Sequence, residues 1–137
     1  MQEFVHLHVH TQYSLLDGQT NIKKMVDKAI ADGMPGVAVT DHGNMMGIKE
    51  FKNYCDKVNG KLQEQGKHFK PIIGCEVYVA PRSKGLRVSK ELDGANYHLI
   101  LLAKNLKGYH NLIKIVSRAW TDGFYSHPRT DKEDLEK

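Results

Sequence analysis

Between Phe4 and Thr11 apolar and polar residues alternate, with Val5, Leu7 and Val9 on one side and His6, His8 and His10 on the other. That period predicts a short strand whose apolar side meets a core. Ile22, Met25, Val26, Ala29 and Ile30 then recur at i, i+3, i+4, i+7 and i+8, the stripe of an amphipathic helix that Gly33 stops. Pro35 and Gly36 lead into a β-rich run, Val37 to Thr40, and Ile48, Phe51, Cys55 and Val58 predict a second helix ending at Gly60. After a polar linker over 61–70 comes a strand through Pro71–Val79; Arg82–Asn96, polar and punctuated by glycine, predicts an exposed loop or hairpin. His98–Ala103 predicts a further strand, and Tyr109, Leu112, Ile113, Val116 and Trp120 a third helix. Strands alternating with helices predict an α/β fold of βαβ units with a largely parallel sheet or barrel.

Length and composition bound this picture. The 137 residues suffice for one core but not for a complete eight-fold βα barrel, which takes about 250. With 40% hydrophobic and 26% charged residues and a mean hydropathy of -0.51, the chain reads as globular rather than disordered or membrane-embedded. The longest apolar run, Leu99–Ala103, is far short of a membrane span. Cys55 and Cys75 are too few for a disulfide framework and form no CxxC motif, so the expected compartment is the reducing cytoplasm. The net charge of +4 is uneven: residues 76–121 hold eight Lys/Arg against three Asp/Glu, which fits either a polyanion-binding surface or a solvated face. Thr130-Asp131-Lys132-Glu133 has the form of a capping box. A helix starting there has about one turn before Lys137, too short to be stable alone, so the sequence reads as though it is cut within a helix.

Candidate chemistry starts at His8 and His10. At i and i+2 on a strand two imidazoles point the same way, and Asp17, in the turn Leu15-Leu16-Asp17-Gly18, is placed to return an oxygen ligand over them. Alone, the pattern fits a metal site or a polar strand face equally. Three further residues tip it toward metal. His42 follows the strand Val37–Thr40, at the end where βα proteins place their sites; Glu76 interrupts an apolar strand, where an unpaired carboxylate is costly; His98 opens another strand. A set of imidazoles and carboxylates without thiolates suits zinc, manganese or iron, and a glutamate can bridge two ions. His6 is expected in a supporting role, His68, His110 and His127 at the surface, Cys55 in the core, and Cys75 on the strand face opposite Glu76.

His8-Val9-His10-Thr11 with Ser14 and Leu16-Asp17-Gly18, then Thr40-Asp41-His42-Gly43-Asn44, Gly74-Cys75-Glu76 and His98-Leu99, resemble the successive metal motifs of the polymerase-and-histidinol-phosphatase (PHP) domain. The surrounding residues 8–18, 33–45, 70–80 and 98–125 are similar to the PHP domain at the N-terminus of bacterial DNA polymerase III alpha subunits. The resemblance implies a distorted seven-stranded βα (TIM-like) barrel, of which residues 1–137 are the N-terminal part, with up to three divalent metals, zinc or manganese, at the strand ends. The implied ligands are His8, His10, Asp17, His42, Glu76 and His98, with Glu76 bridging and His10 and Glu76 at the catalytic centre; further ligands would come from later motifs. It also implies phosphoester hydrolysis by an activated water, as in a 3′→5′ proofreading exonuclease; Arg82, Lys84 and Arg87, from the basic stretch, are the residues expected to guide DNA by phosphate contacts. The parent would be a DNA-directed polymerase using magnesium and deoxynucleoside triphosphates elsewhere in its chain, alongside other replisome subunits, and the isolated 137 residues would be inactive. A metal-stabilised scaffold and a free-standing PHP phosphatase are the competing readings.

Overall fold

A computed structural model describes residues 4–137. In chain order the elements are α1 (Ile22–Ala31), β1 (Gly36–Val39), α2 (Ile48–Gln63), β2 (Lys70–Val79), α3 (Lys90–Asp93), β3 (Tyr97–Leu102), α4 (Leu106–Thr121), β4 (Arg129–Thr130) and α5 (Lys132–Leu135). β2 is the spine of the sheet. Its first half pairs parallel with β1, from Gly36↔Lys70 to Val39↔Ile73. Its second half lies between β3, antiparallel from Gly74↔Leu102 to Val79↔Tyr97, and β4, parallel at Tyr78↔Arg129. The class is α/β, but the sheet is mixed rather than largely parallel. Helices of 16 residues, α2 and α4, lead from β1 to β2 and from β3 to β4, and both β1 and β4 pair parallel with β2, whereas β3 comes back beside β2 in the antiparallel direction after the 80–96 segment.

The predicted first strand, Phe4–Thr11, is extended chain rather than a ladder. Ala38 N donates to His6 O, but Thr40 N donates to Val9 O, so three steps on one side match two on the other. This extra residue breaks the alternation, as a bulge does. Leu7 is consequently half exposed instead of core. The segment is still held to β1 by those bonds and by Val9 N to Thr40 Oγ1 at 2.9 Å.

Two apolar clusters follow from the helical stripes. Ile22, Val26 and Ala29 of α1 and Ile48, Phe51 and Cys55 of α2 close over Val37 and Val39 of β1. Cys75 and Val77, on the odd-numbered face of β2, pack against Leu112 and Val116 of α4. The even-numbered face, carrying Gly74, Glu76 and Tyr78, points away from α4 toward the histidines. α2 does not stop at Gly60 but runs to Gln63, because Leu62 packs against the first cluster and offsets the exposed glycine. Its stop is Gly66, at φ +66°, with Lys67 N returning to Leu62 O.

The segment expected to be an exposed loop, Arg82–Asn96, is tied down from within. Asp93 is buried, and its carboxylate accepts from Val88 N, Ser89 N and the Arg82 guanidinium. Arg129 is fully buried and donates to the carbonyls of Gly123, Asp93, Lys84 and Leu86. Polar side chains here do the work of a missing ladder. The capping box is shifted by one residue: Asp131 caps α5, accepting from Asp134 N, while Thr130 is buried in β4.

Candidate metal centre

Glu76 organises the site. It faces His42 across an isolated parallel bridge, fixed by Gly43 N to Glu76 O at 2.8 Å and Glu76 N to Asp41 O at 3.0 Å. Its two carboxylate oxygens are divided between the histidines. Oε2 lies 2.9 Å from His8 Nε2 and 2.5 Å from His10 Nε2; Oε1 lies 2.9 Å from His98 Nδ1 and 4.0 Å from His42 Nε2. Asp17 Oδ2 stands 2.9 Å from Nδ1 of both His10 and His42. The six sequence-derived candidates therefore converge. They form three adjoining donor groups, His8/His10/Glu76, His10/Asp17/His42 and His42/Glu76/His98.

The interior of the site is buried and its rim open. Glu76, His42 and His10 are largely buried, whereas the side chains of His8, His98 and Asp17 are about half exposed. Burial pushes the Glu76 carboxyl up, but hydrogen bonds from His8 and His10, the His42 charge and a bond from His98 outweigh it and hold the group at about 2. His42 Nε2 is buried and has no hydrogen-bond partner among the described residues.

Backbone supports come from residues the sequence reading quoted but gave no role. Ser14 Oγ accepts from His42 N at 2.8 Å, and the buried Asp41 carboxylate accepts from both Thr11 N and Thr11 Oγ1. Tyr78 was missed altogether; its ring stacks on His42 at 4.1 Å. The alternation Glu76-Val77-Tyr78 on one strand is the signal that would have put it on the ligand face. His127 is exposed as expected, yet it stacks on the other side of Tyr78 at 4.5 Å. His6, His68 and His110 are exposed and lie outside the cluster, and Cys75 points away from it into the second core.

The three residues expected to guide DNA are engaged within the chain. Arg82 pairs with Asp93, Lys84 Nζ with Asp134 at 2.6 Å, and Arg87 with the carbonyls of Phe124 and Asp122. Arg82 closes the 80–96 segment on itself, Lys84 ties it to α5, and Arg87 ties it to the chain just after α4.

The family described as PHP domain matches residues 6–137. The chain belongs to the PHP domain family. Within that family this PHP domain is 47% identical over 134 residues to a DNA polymerase III subunit alpha of Borreliella burgdorferi, a match covering 98% of this chain and 11% of the relative. It is 45% identical over 136 residues to the DNA polymerase III subunit alpha of Thermus aquaticus, covering 97% of this chain and 10% of that one. The chain thus spans about a tenth of the length of the curated relatives it matches. Among solved structures, an amidohydrolase from Chromobacterium violaceum gives a TM-score of 0.49 at 20% identity, covering 85% of this chain and 36% of that one. No helix among the described residues is long and apolar enough to cross a membrane.

Proposed function

We propose that this PHP domain holds divalent cations, zinc or manganese, on His8, His10, Asp17, His42, Glu76 and His98, and that the site hydrolyses a phosphoester. In the setting of a DNA polymerase III alpha subunit the substrate is the 3′-terminal phosphodiester of a DNA strand, making the domain a 3′→5′ exonuclease. The observation that carries this reading is the division of Glu76: one carboxylate, each oxygen facing a different pair of imidazoles.

The donor set fits such ions. The Nε2 atoms of His8 and His10 are 3.2 Å apart, close to the ~3.3 Å that two nitrogens about 2.0 Å from a tetrahedral zinc would have. His42 Nε2, buried and unpartnered, faces Glu76 Oε1 across a gap wider than a hydrogen bond. Bound divalent cations supply Lewis acidity, lowering the pKa of water and offsetting charge on a phosphoryl group. The residues themselves do the rest. Glu76 stays ionised at neutral pH, Asp17 holds His10 and His42 by their Nδ1 atoms, and the half-exposed His8 and His98 leave the rim open to a phosphoester.

The test combines metal analysis with primer shortening. The chain as purified should contain zinc or manganese that is lost in His10→Ala and Glu76→Gln, and an alpha subunit carrying this sequence should shorten a 3′ primer end only with those residues intact. If metal is bound but primers are not shortened, and both variants only melt earlier, the domain is a scaffold. Hydrolysis confined to small phosphomonoesters would support the free-standing phosphatase reading instead.

A further inference from the structure

We propose that Tyr78 is a positioning residue of the metal centre, a ring wedged between His42 and His127 that sets the plane of His42 and the edge of His98. This rests on the metal-centre reading above. The argument starts from what His42 has to do. It belongs to two of the three donor groups, presenting Nδ1 toward Asp17 and Nε2 toward Glu76. An imidazole can serve two directions only if rotation about its ring torsion is blocked, and the bond to Asp17 alone leaves it a hinge.

The block is a column of nearly parallel rings. Tyr78 stacks on His42 at 4.1 Å and 15°, and His10 stacks on His42 at 5.5 Å and 28°. His127 backs Tyr78 at 4.5 Å and 17°, so Tyr78 is itself held on both faces. His98 meets this column edge-on, 5.3 Å from Tyr78 and 4.6 Å from His42. Tyr78 therefore touches two candidate ligands while standing on the same strand face as Glu76, which both of them address.

The backbone is shaped to admit the ring. Gly43, at φ +70°, lets the ring come close: a Cβ there would lie 3.0 Å from Tyr78 Cε2 and 3.0 Å from Pro128 Cγ, tighter than ordinary van der Waals contact. The carbonyl of the same glycine accepts from Trp120 Nε1 at 2.8 Å, which anchors the turn to α4. The turn that carries His42 and the loop that carries His127 thus close on Tyr78 from both sides.

Three variants of the chain test this, titrated with Zn²⁺ and Co²⁺ and read by affinity and by the visible Co²⁺ spectrum. Tyr78→Phe keeps the ring and should match the wild type in both. Tyr78→Leu removes it and should weaken binding by about 10–100-fold, the range for residues that orient metal ligands, with altered Co²⁺ bands. His127→Ala removes only the exposed outer ring; it should fold normally and weaken binding by a smaller factor. Wild-type affinity and spectrum in Tyr78→Leu would overturn the proposal, as would equal losses in Tyr78→Phe and Tyr78→Leu. A wild-type chain that binds neither ion would overturn the metal-centre reading and this inference with it.

Discussion

The Asp41 carboxylate holds Thr11 twice, accepting from Thr11 N at 2.5 Å and Thr11 Oγ1 at 2.8 Å, with both residues buried. That pair ties the end of the His8–His10 segment to the turn that presents His42, two parts of the centre thirty residues apart in sequence. Asp41→Ala leaves the Thr11 donors unpaired in the interior and is expected to cost about 3 kcal/mol, on the scale for buried donors without partners. Asp41→Asn can still accept from Thr11 N with Oδ1 and donate to Thr11 Oγ1 with Nδ2, so its cost should stay within about 1 kcal/mol. Urea denaturation of the two variants checks this. Equal losses would mean that the charge, not the hydrogen bonds, holds the segment.

Arg129 is a buried guanidinium whose hydrogen bonds go to four backbone carbonyls, with its cation 5.1 Å from the centre of the Tyr125 ring. Arg129→Met strands those carbonyls and is expected to cost about 3–5 kcal/mol in urea denaturation. The loss should be local first. Limited trypsin digestion is expected to cut the variant at Lys84, Arg87 or Lys90 while the rest of the chain is still folded, and cleavage no faster than in the wild type would contradict the role given to Arg129.

What could be read in advance divides along a physical line. The stripes of α1, α2 and α4 were legible because burial of one helical face leaves a period in the sequence, and the six candidate ligands were legible because polar residues at strand ends or inside an apolar strand stand out. The direction of β3 was not, since antiparallel return depends on how the 80–96 segment is held, by Asp93 and Arg129, residues whose partners are far off or backbone. The bulge between His6 and Val9 has no residue signature either. Tyr78 fits an ordinary strand composition; its alternation with Glu76 puts it on the ligand face, but the stacking on His42 that gives it a task depends on the register.

Gly33 and Gly43 share a left-handed backbone, at φ +77° and +70°, but not their surroundings. A Cβ on Gly33 meets nothing within 4 Å, while on Gly43 it meets Tyr78 and Pro128 at 3.0 Å. Gly33→Ala should therefore cost only the backbone term, about 1–2 kcal/mol. Gly43→Ala should cost more, because the Tyr78 stack has to give way, and it alone should weaken Zn²⁺ binding. Thermal denaturation with and without zinc compares the pair; equal losses for both would show that the Tyr78 contact is slack.

Cys55 lies on α2 with no exposed surface, inside the first apolar cluster. Burial, followed by the nearby Asp56 charge, pushes its thiol up to about 12. The raised value fixes the sign of its pH dependence. The folded chain holds the proton more tightly than the unfolded one, so the contribution of this thiol to stability is complete below the unfolded value near 9 and is lost as pH rises through the folded value. At pH 8 the folded chain has almost no Cys55 thiolate, and alkylation has to wait for opening of the α1–α2 layer. Iodoacetamide labelling followed by mass mapping should find Cys55 unmodified in native conditions and fully modified in urea. Rapid native labelling at pH 8 would show that α2 leaves the sheet far more often than its packing implies.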